Sequence, residues 1–260
     1  MKIIVCIKQV PDTTEVKLDP KTGTLIREGV PSIINPDDKS GLEAALRLKD
    51  KYNAEITVIT MGPPQADIAL REAIAMGVDR AILLTDRAFA GADTWATSSA
   101  LAGAINELDY DLIIAGRQAI DGDTAQVGPQ IAEHLNLPSV TYVEDLELLH
   151  DSLIVKRAFE DGYMRIKVKT PCLITTLKEL NEPRYMRVSG IYDAFDESKV
   201  EMWTVNNVSI DPGNLGLKGS PTKVKKSFTK GVKTAGKVFE LEPKEAARLI
   251  VDKLKEKYII

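Results

Sequence analysis

The chain has 260 residues, 44% of them hydrophobic, and a formal net charge of −4. This is enough material for a full core, as one large α/β domain or a domain with an extension. The mild negative charge excludes the broad basic face of a general nucleic-acid binder, and no apolar segment reaches the roughly 18 to 20 residues of a membrane span, so neither nucleic acid nor membrane insertion is expected.

The N-terminal MKIIVCIKQV is too short for a signal peptide with its cleavage site. Cys6 lies in that apolar run and Cys172 follows Thr170-Pro171, with neither CxxC nor metal-ligand spacing, so a cytoplasmic location is expected. Further along, short apolar runs alternate with helix-length amphipathic segments, the pattern of a parallel sheet with helices on its faces. Strands are predicted over 2–8, 55–61, 80–85 and 111–116, each rich in Ile, Val or Leu. Helices are predicted over 38–52, 64–76 and 93–108; in the first, Leu42, Ala45, Leu46 and Leu48 fall close to helical spacing. Asp37 or Asp38 suits the cap of that helix, Pro64 the first turn of the second, and Gly77 its stop.

After residue 138 the texture becomes strand-like. VTYVEDLELL, SLIVKRAF, an Asp161-Gly162 turn, YMRIKVKT and CLITT read together as antiparallel hairpins extending the sheet edge. From Met186 the chain turns polar and is punctuated by Pro212, Gly213, Gly216, Gly219 and Pro221, so 186–236 reads as an arm that packs on something else. Its basic stretch, 223–233, reads as a solvated or partner-contacting segment. Residues 243–258 form an amphipathic helix with Ala246, Ala247, Leu249, Ile250 and Leu254 in one stripe. The expected fold class is α/β: a doubly wound, mostly parallel sheet with helices on both faces, an antiparallel hairpin extension and a C-terminal partner-wrapping arm ending in a helix. Residues 1–185 form the α/β domain and 186–260 the arm.

Such a sheet binds ligands beyond the C-terminal ends of its strands, where the topology changes direction. The loops placed there are 6–10, the turn Asn35-Pro36-Asp37-Asp38, Met61-Gly62-Pro63-Pro64, and 116–128. The turn at 35 and the strand end at 61 also have plain structural readings. The last loop, within GRQAIDGDTAQVGP, has more polar equipment than a connection needs. It follows the apolar DLIIAG and runs into a helix-like stretch, so backbone N–H groups and the positive end of a helix would face an anion. Thr124, Gln126 and Gly128 would complete a nucleotide-phosphate cradle, and the Asp residues would accept from ribose hydroxyls or the adenine amino group.

Ordinary catalytic constellations are missing. His134 and His150 lack spaced partners for metal or triad chemistry and read as structural. There is no GxGxxG after the first strand, no GxxxxGK[ST] and no GxSxG. QVPDTTEVKLD stands where an ATP-splitting enzyme would need a Gly- and Ser-rich loop. The chain reads as a nucleotide binder whose chemistry belongs to its cofactor.

Five segments, in order, then carry a resemblance: VCIKQVPD, INPDD, AMGVDRAILL, GRQAIDGDTAQVGP and LNEPRYM. Over essentially its whole length the chain resembles the β subunit of an electron-transfer flavoprotein. The resemblance implies a heterodimer with an α subunit carrying FAD, moving electrons to or from dehydrogenases. It places the nucleotide pocket at Cys6, Asn35, Pro36, Asp37, Asp38, Met61 and the loop Gly116, Arg117, Gln118, Ala119, Ile120, Asp121, Gly122, Asp123, Thr124, Ala125, Gln126 and Val127. It places a recognition loop for an acyl-CoA dehydrogenase around Asn181, Glu182, Pro183, Arg184, Tyr185, Val188 and Ile191. Val188 stands at the anchoring apolar position, where the family often has Leu.

Most such β subunits hold AMP, whereas the electron-bifurcating branch holds a second FAD in the same pocket. Conventional members commonly carry an acidic residue in place of Gly122 and a polar one near Ala125; bifurcating ones resemble DGDTAQVGP as it stands here. A carboxylate at 122 would repel a second phosphate, and Gly lets the backbone approach a pyrophosphate. The resemblance thus implies FAD here, with NADH as donor and electrons divided between ferredoxin or flavodoxin and, through the α-subunit FAD, an acyl-CoA dehydrogenase. The alternative is a conventional β subunit that holds structural AMP, docks dehydrogenases and has no redox centre of its own. Arg117 is expected either to stabilise a reduced, anionic flavin or to hold the loop as a phosphate or carboxylate partner.

Overall fold

Alternation within the first apolar run decides the layering. In β1 (Lys2–Cys6), Ile3 and Val5 enter one hydrophobic core and Ile4 and Cys6 another, the period-two pattern of a strand covered on both faces. The computed structural model describes residues 1–12, 31–196, 199–225 and 236–260. A short antiparallel pair, β2 (Gln9–Pro11) and β3 (Ser32–Ile34), leads into helix α1 (Pro36–Tyr52). Next come β4 (Glu55–Met61), α2 (Asp67–Met76), β5 (Arg80–Leu84), α3 (Thr94–Ile105), β6 (Leu112–Gly116) and α4 (Val127–His134). Leu42, Leu46, Leu70 and Met76 cover the Ile3/Val5 side of the sheet, and Ala100, Leu101, Ile105 and Ile131 the other. Helices α1 and α2 therefore lie on one face and α3 and α4 on the opposite face.

Pro36 occupies the first turn of α1, so Asn35, rather than Asp37 or Asp38, stands at the cap position. Proline is preorganised for that place, which moves both carboxylates inside the first turn. Helix α2 is preceded by a 3₁₀ turn over Pro64–Ala66 and stops at Gly77, whose φ of 123° suits glycine alone.

The remaining strands are β7 (Ser139–Leu149), β8 (Ser152–Phe159), β9 (Gly162–Lys169) and β10 (Cys172–Thr176). β7, β8 and β9 form the expected antiparallel extension, with Glu160 and Asp161 in the turn and Gly162 already paired with Phe159. CLITT does not continue it. β10 inserts between β6 and β7, parallel to both. All five of its residues are buried, and a run apolar on both faces belongs in a sheet interior, not in a half-exposed hairpin.

The stretch after Met186 also departs from expectation, because part of it packs on its own chain. Helix α5 (Val188–Ala194) lies along α2, and β11 (Val200–Trp203) adds a parallel strand outside β5. The sheet order is β11-β5-β4-β1-β6-β10-β7-β8-β9. VEMW is short and its punctuated surroundings hide it; bidentate bonding of Arg80 to Glu201 at 2.6 and 2.7 Å helps hold it. A single turn, α6 (Gly216–Gly219), precedes the end of the first compact unit, Met1–Ser227. The basic stretch 223–233 falls largely outside the described residues. The second unit, Phe228–Ile260, contains α7 (Pro243–Glu256), none of whose residues is buried. Among the described residues, no helix is long and apolar enough to cross a membrane.

Candidate nucleotide site at the sheet switch point

β1 lies between β4 and β6, so the chain winds outward on one side of β1 and then restarts on the other. The loops after β1 and β6 diverge there and leave a crevice. Asp38 ties the two strand ends together: Oδ2 accepts from the Lys8 N–H at 2.7 Å and Oδ1 from the Gly116 N–H at 3.0 Å. Burial pushes its carboxyl up to about 7, while Asn35 and those two N–H groups pull it down. Gly116 is required by this closeness, since a Cβ there would lie 2.0 Å from Asp38 Oδ1 and 2.7 Å from the Asp38 nitrogen.

Asn35 is fully buried and shapes the loop instead of capping α1. Its Nδ2 donates to the Gln118 carbonyl at 2.8 Å, and its Oδ1 accepts from the Ile120 N–H at 3.0 Å. The Ala119 carbonyl accepts from the N–H groups of Gly122 and Asp123. Lys8 Nζ reaches Asp121 at 2.7 Å, Gln118 Nε2 donates to Asp123 at 2.9 Å, and Thr94 Oγ1 donates to Gln126 Oε1 at 3.1 Å. The Asp and Gln side chains thus largely serve the loop's own shape. Its backbone is strained where it turns: Asp123 and Ala125 have φ of 48° and 53°, left-handed values that are costly for a residue with a Cβ. Gly122, Asp123 and Thr124 are exposed, and among the described residues nothing lies within 4 Å of where a Gly122 Cβ would be. Helix α4 then begins without a side-chain cap, leaving first-turn N–H groups for an anion.

Cys6 and Met61 are less direct members. Burial pushes the Cys6 thiol up to about 12, and its side chain belongs to the core beneath α3 and α4. Met61 packs against the same core, one strand over. Arg117 is one-third exposed; its Nε is buried 3.3 Å from Asp37 Oδ2, without the alignment of a hydrogen bond. Burial raises the Asp37 carboxyl above the usual range, against Arg117 and the N–H groups of Lys178 and Gln118.

Several members carry no sequence signal of their own. Tyr142 sits on a bulge in β7 with φ of 59°, its ring 5.9 Å from the Arg117 guanidinium and 6.0 Å from that of Arg157. Thr176, at the end of β10, donates to the Asp37 carbonyl at 3.0 Å. The only available cue was position, since strand ends on this side of a doubly wound sheet gather at the crevice. His134 Nε2 lies 3.2 and 3.1 Å from the Ser98 and Ser99 hydroxyls, joining α4 to α3. Among the described residues no cluster could hold a metal ion.

The recognition segment separates into two sets. Asn181 and Arg184 face α1: Asn181 N–H donates to Ser40 Oγ at 3.1 Å, and Arg184 bonds Glu43 through Nε at 2.8 Å and Asp50 through a terminal nitrogen at 2.7 Å. Tyr185, Val188, Ile191, Tyr192 and Phe195 are exposed, Tyr185 at 95% and Val188 at 86%. Glu182 is exposed and Pro183 half-buried.

Comparison with known proteins agrees with this geometry. The profile of the electron transfer flavoprotein domain matches residues 22–207. The electron transfer flavoprotein subunit beta of Clostridium acetobutylicum is 64% identical over 260 residues, covering all of both chains. The caffeyl-CoA reductase-Etf complex subunit CarD of Acetobacterium woodii is 56% identical over 263 positions, and the acryloyl-CoA reductase electron transfer subunit gamma of Anaerotignum propionicum 47% over 268, each covering both chains fully. A match of the family profile to residues 22–207 and identity at this level over the full length place the chain in the electron transfer flavoprotein family, as a β subunit.

Proposed function

We propose that this β subunit binds FAD at the 116–127 loop, pairs with an FAD-carrying α subunit, and serves electron bifurcation in the cytoplasm. In this role, electrons from NADH divide between ferredoxin or flavodoxin and, by way of the α-subunit FAD, an acyl-CoA dehydrogenase. The observation that carries the reading is Gly122. Its φ is not left-handed and a Cβ would meet nothing within 4 Å among the described residues, so their packing does not call for glycine there; a pyrophosphate lying against the backbone does. The names of relatives from a caffeyl-CoA reductase-Etf complex and an acryloyl-CoA reductase support a CoA-thioester reductase or dehydrogenase as partner.

The residues present fit such a group. The uncapped start of α4 and the loop N–H groups would face its phosphates, and Thr124 would add a hydroxyl. FAD, when bound, supplies the one- and two-electron chemistry; the protein contributes orientation, exclusion of water and local charge. Arg117 would bring positive charge beside the nucleotide, while Asp38 and Asn35 keep the crevice walls at fixed separation. Val188, Tyr192 and Phe195 would enter an apolar pocket of the dehydrogenase partner.

The test is to co-express the chain with its α subunit, reconstitute with excess FAD, denature, and count nucleotides released per heterodimer. Two FAD and no AMP is the expected result. One FAD with one AMP overturns the bifurcating reading and makes the subunit a structural and docking component.

A further inference from the structure

Helix α1 holds both functional regions, and Asp37 touches each with a different oxygen. Oδ2 lies 3.3 Å from Arg117 Nε in the nucleotide loop; Oδ1 accepts the Lys178 N–H at 3.0 Å, at the start of the chain leading to the docking segment. The Asp37 carbonyl accepts from Thr176 Oγ1, and the Thr176 carbonyl accepts the Arg117 N–H at 2.9 Å. Further along α1, Ser40 takes the Asn181 N–H and Glu43 takes the backbone N–H, Nε and a terminal nitrogen of Arg184. Beyond Arg184, the Arg187 N–H donates to the Ala75 carbonyl at 3.1 Å, and a Cβ at Gly190 would lie 2.5 Å from that same oxygen. Helix α5 is therefore seated against α2 without slack.

The side chains of Asp37 and Glu43 are only 8% and 5% exposed. Their oxygens serve internal contacts. Arg117 differs: its Nε is close to Asp37 but not hydrogen-bonded to it, so an incoming phosphate competes with Asp37 for the guanidinium. When Arg117 turns to the phosphate, the Asp37 carboxylate becomes a stronger acceptor for Lys178.

We propose that Asp37 is a positioning residue that couples filling of the nucleotide loop to ordering of the docking segment. The inference rests on the reading of 116–127 as a nucleotide site. It needs no large displacement, because a ligand that stiffens one end of a shared anchor lowers the ordering cost at the other. The coupling is reciprocal: a partner seated on α5 tightens nucleotide binding by the same factor.

Amide hydrogen exchange on the heterodimer tests it, comparing wild type, Asp37→Asn and Glu43→Ala, each stripped of this subunit's nucleotide and then supplied with FAD or AMP. In wild type, nucleotide slows exchange at 116–127 and, by about fivefold or more, at 178–187. Asp37→Asn retains an acceptor for Lys178 but loses the charge that Arg117 senses, so slowing survives at 116–127 and disappears at 178–187. Slowing confined to 116–127 in wild type, or an unaltered response in Asp37→Asn, overturns the coupling. No slowing at 116–127 with either nucleotide instead overturns the nucleotide-site reading, and the inference falls with it. Should Asp37→Asn fail to assemble, Glu43→Ala decides: nucleotide must still protect 116–127 but no longer 181–187, and retained protection there sinks the proposal.

Discussion

The 116–127 loop and the 181–195 segment are both anchored on α1, but they present different surfaces. In 116–127 Asp121 turns inward to Lys8, Gln118 and Asp123 bond each other at the exposed rim, and Asn35 and Ala119 take up the Ile120, Gly122 and Asp123 N–H groups. In 181–195 Asn181 turns inward to Ser40 and Arg184 to Glu43, while Tyr185, Val188, Tyr192 and Phe195 stand exposed among the exposed polar residues Glu182, Arg187 and Asp193. The first arrangement spends its polar side chains on its own shape; the second offers removable apolar area, as interface hot spots do. Polarity of the residues alone therefore does not tell which side chains face outward.

That contrast can be broken most forcefully at its shared support. Gly116→Ala should cost about 3 kcal/mol, because the new Cβ collides with Asp38 backbone and carboxylate; an unfolding free energy from urea titration lowered by less than a third of that would show that the strand ends part easily. Asp38 itself gives a pH signature. Its carboxyl, raised to about 7 by burial from 3.8, holds a proton in the folded state that the unfolded chain has released between those values. The Asp38 contribution to stability should then fall as pH rises from about 4 to 7, by at most about 1.4 kcal/mol per pH unit, and the difference between wild type and Asp38→Asn in denaturant titrations at several pH values should show that slope whatever the substitution's own cost.

The docking side should respond without disturbing the other. Val188→Asp is expected to weaken binding of the dehydrogenase partner about tenfold or more, with nucleotide content unchanged and stability within about 0.5 kcal/mol of wild type. Calorimetry of partner binding that shows no loss would remove α5 from the interface. The smallest structural effect belongs to Gly122→Asp, which should leave Tm where it is while lowering FAD retained by this subunit and sparing the α-subunit FAD. Undiminished FAD in that variant would count against the pyrophosphate contact.

Much of this was legible without a structure. Four strands and three helices of the parallel half follow from apolar period and stop signals, with ends displaced by at most three residues. The switch-point loops were legible too, because a doubly wound sheet leaves few places for a ligand. CLITT was misassigned because a short apolar run does not state which neighbours it pairs with, and here it enters between β6 and β7. VEMW and VSGIYDA were hidden among breakers; they are ordered by Arg80 and by close packing of Gly190 on α2, partners more than 100 residues away in sequence.

The sequence by itself determined the layered α/β plan, the family and the loops that gather at the crevice, since these depend on local periodicity and on motifs read in order. Only the tertiary structure decided which side chains do what. Asn35 shapes a loop 85 residues away, Asp38 joins two strand ends, and Asp37 stands between Arg117 and the Lys178 N–H. A buried hydrogen bond depends on distance and direction between groups far apart in the chain, and neither is written in the local spacing of residues.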